Sequence, residues 1–600
     1  METKVRGAHF FRVLGRLQPG VTTGQARAEA AAIAARLEKQ YPNSNTGRSA
    51  NVISFHQDLT GDVRPALLVV LAAVFFVLLI ACANVANLLL ARATARQREI
   101  AIRTALGASR SRLVRQLLAE GLLLALLGAA GGLLLAWWSV DLLRSFGPQD
   151  VPRLNEVQIN SAVVVFALAV AIVSTLLFAL VPALQVTRPN VNASLQEGNR
   201  GGVGAESTRL RGVLVVSQVA LSLLLLAGAG LLIKSFANLR ATDPGFDPSR
   251  VVAADFVIPR GKYPEPEQQR QFFERFLPQL AALPGIEAMG GASPLPFSGN
   301  DSSQSLWIAG RPDPGLGNHP DASNVTVAGD YFRALRIPLL AGRVFDRRDG
   351  KDSPRVAIVN EAFVQKFFPN ANPLGEHLLI DQPKDALSVE IVGVVGSSRH
   401  DSLAVPPKPE YYLPQSQDPG RVSHLVFRTS VANLSGLQAA LRRVIQGMDR
   451  DVFVPELVPL EKMIGGSLAQ PRFNMMLLGS FAAVALLLAA IGIYGVIAYS
   501  VAQRTREIGI RMALGAQRGD VLRMILRQSM IIVGIGLTIG LIGAFALTRR
   551  MGSLLYGVSA HDLSIHGLVL ILLAGAGLIA TYIPARRAMA VDPMVALRYE

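Results

Sequence analysis

Residues 98–108 read Arg98-Glu99-Ile100-Ala101-Ile102-Arg103-Thr104-Ala105-Leu106-Gly107-Ala108, and residues 506–516 read Arg506-Glu507-Ile508-Gly509-Ile510-Arg511-Met512-Ala513-Leu514-Gly515-Ala516. Sliding the chain on itself by 408 residues aligns the longer pair Arg96 to Arg115 and Arg504 to Arg523, in which 12 of 20 positions are identical. Identity at that density and a fixed offset marks an internal repeat. Glu99 and Arg103 stand four apart, as do Glu507 and Arg511, so each pair can bridge on one helix face with the acid on the favoured N-terminal side. Gly107 and Gly515 suit the position just past a helix end, where a residue with positive φ closes one helix before another begins. Each half is therefore expected to carry a short helix, a break, and an amphipathic lead into an apolar segment.

The flanking sequence says where these segments lie. The chain of 600 residues is 50% hydrophobic and 17% charged, with a mean hydropathy of +0.36, too apolar for an ordinary soluble protein of this length. A bilayer core needs about 20 apolar residues in helix. Seven stretches qualify, at 66–90, 117–140, 161–185, 212–234, 473–499, 525–547 and 564–584. The fold class expected is a polytopic α-helical membrane protein with seven spans and a large α+β external domain. Orientation follows the arginines in short loops. Residues 91–116 hold seven arginines and one acid, whereas 141–160 hold two arginines and three acids. The former are read as cytoplasmic, as are the arginine-rich 500–527 and Arg586-Arg587; residues 235–472 then fall outside.

The formal charge of +16 would suit nucleic acid if it sat on a soluble face. It does not: residues 237–470 hold 24 Lys and Arg against 26 Asp and Glu. The excess belongs to the membrane part, and no nucleic acid partner is expected. The single cysteine, Cys82, lies in an apolar run and reads as a small buried hydrophobe. Within the spans, the offset pairs Gly128, Gly132 and Ala136 with Gly536, Gly540 and Ala544, small residues at every fourth position that let helices approach closely in lipid. Asn84 and Asn87 fall opposite Gly492 and Gly495. Intramembrane amides either bond a neighbouring helix or line a path, and the sequence leaves both open.

Residues 237–472 alternate strand-like and helical runs: strands over Val251 to Ile258, Val356 to Asn360, Val389 to Val395 and His424 to Arg428, and helices over Glu265 to Leu283 and Leu434 to Met448. None of the eight histidines has HxxxH spacing, and there is no GxSxG elbow and no GxxxxGK[ST] phosphate loop. Asp346 and Asp349 read as surface turn residues. No catalytic residue, metal or cofactor is expected, and energy would come from another subunit. The N-terminal run, strand-like His9 to Leu14, a helical Thr23 to Tyr41, then Asn51-Val52-Ile53, parallels the end of the external domain. With no signal-like stretch in Met1 to Gly7, the expectation is a chain that begins late in a first external domain.

The Arg-Glu-Ile-x-Ile-Arg-x-Ala-Leu-Gly-Ala segments, the spans around them, and the runs Gly329-Asp330-Tyr331-Phe332, Gly342-Arg343 and Val356 to Ala362 resemble the MacB/FtsX-type ABC transporter permeases. The runs Ala81 to Arg92 and Val501 to Glu507 are similar to the acidobacterial duplicated orphan permeases. That resemblance implies a C-terminal remnant of a first periplasmic core domain over 1–65 and a first three-span FtsX-like unit over 66–186. It further implies a cytoplasmic linker over 187–211, span four over 212–234, a MacB-like periplasmic core domain over 237–472, and a second FtsX-like unit over 473–600. It also implies that a separate ABC ATPase docks on Arg98, Glu99, Arg103, Gly107, Arg506, Glu507, Arg511 and Gly515. The chain would then work in the inner membrane as a monomeric pseudo-dimer, in contact with lipid and with a periplasmic partner, to export or extract a substrate. A scaffold that transports nothing and regulates a periplasmic enzyme is the alternative.

Overall fold

The computed structural model describes residues 13–61, 63–95, 109–146, 156–186, 203–259, 261–315, 318–380, 386–419, 422–431, 433–503 and 505–589. The chain divides into two compact units, Met1–Asp62 with Arg240–Leu468, and Val63–Leu239 with Ala469–Glu600.

The second unit is helical. Among the described residues six helices are long and apolar enough to cross a membrane: Arg64–Leu90, Val114–Leu142, Arg209–Arg240, Ala469–Gln503, Arg518–Arg550 and Leu563–Arg587. The stretch expected to be the third span falls in the helix Ser161–Val186, of which Ser161–Leu176 counts as a shorter apolar helix. Helices are the natural form for such segments, because in hydrocarbon every backbone N–H and C=O must find its partner within the chain. The Arg64–Ala95 helix packs on Ala469–Gln503, its own counterpart under the repeat, and Leu563–Met589 packs on both Ala469–Gln503 and Arg518–Arg550. The helix Val203–Arg240 is the central one: 56% of its apolar window is buried, against 6–33% for the others. Small residues on its inner face, Ala227 and Ala229, meet Ala482, Ala485 and Ala544 with little side-chain bulk between backbones, while Leu67, Phe75, Leu487 and Ile539 point outward. Cys82 is buried, as expected.

The first unit is built on a mixed sheet of 11 strands: β1 Val251–Asp255, β2 Ile286–Ser293, β3 Ser303–Ile308, β4 Asp321–Gly329, β5 Leu339–Gly342, β6 Val356–Asn360, β7 His377–Ile380, β8 Leu387–Val395, β9 Glu410–Pro414, β10 His424–Thr429 and β11 Val458–Pro459. One end runs β11-β1-β10-β2-β4 as an open sheet. From β4 the path continues β3-β7-β8-β6-β9 and returns by a parallel pairing of β9 with β4, so six strands close on themselves. Closure removes free edges from this part of the sheet. The open part is covered by the helices Pro266–Ala281 and Leu434–Met448, whose Phe272, Phe273, Phe276, Leu441 and Ile445 form one core with Phe256 and Phe427. The closed part has its own core around Phe363, Ile391 and Tyr411.

Most strands and helices read from sequence are present, with one clear shortening. Val251 to Ile258 pairs as a strand only to Asp255; Pro259 follows, which has no N–H to offer a ladder. The short strand β11 pairs with β1 at the sheet edge without having been read from the sequence. Asp346 and Asp349 do form a turn, the Asp349 N–H donating to the Asp346 carbonyl at 3.1 Å. Asp349 is not on the surface, however. Its carboxylate is buried and takes both ends of the Arg343 guanidinium fork at 2.7 Å, a geometry that makes burial of the charge tolerable. Of the strand expected over His9 to Leu14, the part up to Arg12 lies outside the described residues.

Candidate functional site

The second copy of the repeated segment is described in most of its length. Thr505–Ala513 is a helix of nine residues. Ile508 anchors it, buried in a cluster with Val215, Ile493, Val521 and Ile525 of the bundle. Its other side is uncovered: Glu507, Ile510, Arg511 and Leu514 are spaced i, i+3, i+4 and i+7, and all four are exposed, Leu514 by 83%. One helical stripe thus presents an acid, a base and two aliphatic side chains to the surroundings.

Within that stripe Arg511 Nη2 bridges Glu507 Oε1 at 2.6 Å. Both side chains are nearly half exposed, 47% and 46%, so the pair is screened by solvent and contributes little to stability. Its effect is to fix the two charges relative to each other. The helix stops at Gly515, whose φ is +99°. The Gly515 N–H donates to the Met512 carbonyl at 3.1 Å and the Ala516 N–H to the Arg511 carbonyl at 3.0 Å, the paired bonds by which a glycine in this conformation satisfies the last carbonyls of a helix. Arg518–Arg550 then begins, with Gln517 and Asp520 bonding each other's backbone in a capping box. The backbone of Arg506 lies in the short helix. Arg98, Glu99, Arg103 and Gly107, the first copy, lie outside the described residues.

The two glycine pairs sit in different settings. A Cβ added at Gly536 would lie 2.8 Å from Val219 Cβ, and one added at Gly540 would lie 2.9 Å from Ala220 Cα and 3.0 Å from Leu223 Cβ. Here the helix Arg518–Arg550 touches the central helix backbone to backbone. At Gly128 and Gly132 an added Cβ would meet nothing within 4 Å among the described residues, and both are exposed.

Asn84 and Asn87 also part company. Asn84 Nδ2 donates to the Leu488 carbonyl at 2.9 Å and its Oδ1 accepts from Gln218 Nε2 at 3.3 Å, so it ties three helices together. Gln218 also bonds the Leu488 carbonyl, and Ser222 Oγ reaches the Ala485 carbonyl at 3.2 Å. Gly492 makes the room, because a Cβ there would lie 2.5 Å from Asn84 Oδ1. Asn87, one turn on, is buried with neither amide atom partnered. Gln218 and Arg211 escape the sequence reading. For Arg211 the signal is present, a basic side chain at the edge of an apolar run, but the sequence reading places it in a linker, whereas the helix starts at Val203; Gln218 lies inside span four, where nothing local says which helices it faces.

A bundle of apolar helices, a short helix with an exposed mixed stripe whose sequence occurs twice in the chain, and a separate α+β unit define the class: a multi-pass membrane permease with a large extramembrane domain. Comparison with known proteins agrees. The FtsX-like permease C-terminal family matches residues 71–191 and again 479–593, and the MacB-like periplasmic core domain matches residues 219–444 between them. The chain belongs to the MacB/FtsX-type ABC transporter permeases.

Among curated proteins it is similar to the pyoverdine export ATP-binding/permease protein PvdT of Pseudomonas aeruginosa, 31% identical over 45% of this chain and 41% of that protein. It is also similar to the macrolide export ATP-binding/permease protein MacB of Marinobacter nauticus, 28% identical over 44% of this chain and 42% of that protein. The ABC transporter permease YknZ of Bacillus subtilis is 29% identical over 47% of this chain and 72% of its own length. The chain thus spans under half the length of the two exporters. Of solved structures, the periplasmic region of MacB from Actinobacillus actinomycetemcomitans matches 38% of this chain and 95% of its own at 16% identity, with a TM-score of 0.26.

Proposed function

We propose that this chain is the membrane subunit of an ABC transporter in which a separate cytoplasmic ATPase drives movement of the periplasmic core domain, exporting or extracting a substrate across the inner membrane. The observation that carries this reading is the exposed stripe Glu507, Ile510, Arg511 and Leu514. A helix anchored on one side by Ile508 and ended at Gly515 moves with the span that follows it, so a force applied to the stripe passes into Arg518–Arg550. The stripe has the mixture of aliphatic contact and fixed charge that suits a protein partner. The sequence repeats it at Glu99, Ile102, Arg103 and Leu106, which supports two docking points in one chain and hence a monomer acting as a pseudo-dimer. The names of the exporters it resembles join ATP binding and permease, which supports a reading in which ATP hydrolysis powers the movement.

The test is reconstitution of the full chain in nanodiscs with ABC ATPase subunits encoded by its source organism. One of them is expected to bind and to hydrolyse ATP faster in the presence of the chain, and Glu99→Gln with Glu507→Gln is expected to lower that stimulation severely. If no such ATPase binds, or if stimulation survives the double substitution unchanged, the docking role is wrong. Stimulation with no accompanying efflux from loaded vesicles would favour the scaffold reading over transport.

A further inference from the structure

The end of the bundle nearest Thr505–Ala513 holds a small cavity of about 40 Å³, apolar over most of its wall, with room for more than one water molecule. It lies between Arg64–Ala95, Val203–Arg240 and Ala469–Gln503 and is lined by Asn87, Arg211, Tyr499 and Gly495, among others. Arg211 is 4% exposed. Its Nη2 donates to the Leu90 carbonyl at 3.0 Å, and its guanidinium stacks 4.0 Å from the centre of the Tyr499 ring. Its Nε has no partner, and no carboxylate among the described residues pairs with it. Asn87, 7% exposed, has neither amide nitrogen nor oxygen bonded. A guanidinium keeps its charge at any physiological pH, and a buried charge left without a counter-charge is among the costliest arrangements in a protein. Stacking on Tyr499 offsets part of that cost and leaves the charge without a counter-charge among the described residues.

The setting selects what would neutralise it. Leu88 and Ile491, which also line the cavity, are 58% and 57% exposed on the apolar outer surface of the bundle. The opening therefore faces the membrane. Its depth is that of the helix ends: Leu90, Arg211 and Tyr499 lie within a few residues of the arginine-rich segments that mark the headgroup level. Gly495, the counterpart of Asn87, adds no side chain to fill the space.

We propose that this cavity binds a phosphate group, held by Arg211 Nε–H and Asn87 Nδ2–H₂ with Tyr499 backing the guanidinium. Two sources share that chemistry, the headgroup of a phospholipid entering between Leu88 and Ile491, and free phosphate.

The full chain, purified in mild detergent and delipidated, is titrated with phosphatidylglycerol, with diacylglycerol of the same tails, and with inorganic phosphate. Adducts are counted by native mass spectrometry and thermal unfolding is followed in parallel. Phosphatidylglycerol is expected to remain bound and raise the unfolding midpoint, and diacylglycerol is not. Arg211→Gln should weaken retention about tenfold, the loss expected for a hydrogen bond to a charged group. Asn87→Leu keeps the charge and should weaken it less, which covers the case in which Arg211→Gln fails to fold. Ile491→Trp, at the opening, should exclude the lipid and spare inorganic phosphate. A midpoint raised by inorganic phosphate alone, and lost in Arg211→Gln, would assign the site to the free anion. Equal retention by wild type and all three variants, equal binding of diacylglycerol, or no response to either phosphate would overturn the proposal.

Discussion

The contrast between the two glycine pairs can be tested by adding a single methyl group at each. Alanine at Gly540 would place its Cβ 2.9 Å from Ala220 Cα and 3.0 Å from both the Ala220 carbonyl oxygen and Leu223 Cβ, where unstrained contacts lie near 3.5–4.0 Å. The obstacles at Ala220 are backbone, so relief requires Arg518–Arg550 to move off the central helix by roughly 0.5–1 Å along a seam that also includes Gly536 and the fully buried Ala544. Overpacking of this kind costs about 1–3 kcal/mol, against which alanine regains about 0.5–1 kcal/mol of helix propensity over glycine. Gly540→Ala should therefore be destabilising by up to about 2.5 kcal/mol net. At Gly132 the added methyl meets nothing within 4 Å among the described residues, only the propensity gain remains, and Gly132→Ala should be neutral to stabilising by about 0.5–1 kcal/mol. Reversible unfolding in detergent micelles, run on both variants and on the wild type, measures the two signs. Equal stabilisation by both substitutions would refute the reasoning, because it would mean that the close approach at Gly540 contributes nothing.

Gly515→Val forces a β-branched side chain to φ near +99°, at a strain of about 1–3 kcal/mol. It should lower both thermal stability and ATPase stimulation, whereas Glu507→Gln, which breaks a half-exposed ion pair, should lower stimulation with almost no shift in the unfolding midpoint. Asn84→Leu removes the amide that bonds Leu488 and Gln218; at about 0.6–1.7 kcal/mol for such a bond between membrane helices, the loss should be measurable by the same unfolding assay. In the extramembrane unit, Asp449 has its pKa lowered to about 2, chiefly by the Lys262 ammonium at 2.7 Å, then by the Asp451 N–H and the Tyr263 hydroxyl. A carboxyl depressed on folding stabilises the fold above its unfolded pKa, near 4, and loses that contribution as pH falls towards its folded value. Acid unfolding between about pH 4 and pH 2 should accordingly flatten in Asp449→Asn relative to wild type.

How much of this could be read beforehand depends on whether the determinant is local. The helix Leu434–Met448 and the strand Val356–Asn360 have the bounds expected of them, because their apolar periods and flanking residues are contained in the segments themselves. The bend at Gly515 and the Glu507–Arg511 pair are local for the same reason. The return of β9 to β4, which closes six strands, depends on a pairing between residues far apart in the chain, Ser323 with Glu410 among them, that no window of sequence encodes. Gly132 and Gly540 look alike in their own helices and differ only in what faces them. Arg211 is invisible as a site residue in the sequence because its meaning comes from Asn87 and Tyr499, each distant in the chain and on opposite sides of it.

The meeting of Asn84 with Gly492 explains why the halves of this repeat cannot be identical where they touch. The two positions are counterparts, 408 residues apart, and they face each other because Arg64–Ala95 packs on its own counterpart helix. In two identical halves each such position would meet a copy of itself, so an asparagine would have to fit against an asparagine. The space does not allow that: even a Cβ at 492 would approach Asn84 Oδ1 to 2.5 Å. Glycine on both sides would pack but would leave the Leu488 carbonyl and Gln218 without the amide that bonds them. Joining both halves in one chain lets a large polar residue on one side be matched by an empty position on the other. Asn87 and Gly495 repeat the arrangement one turn along, with the difference that the space left by Gly495 opens onto Arg211. The repeated segments outside the spans, Arg98 to Ala108 and Arg506 to Ala516, have by contrast kept almost the same sequence.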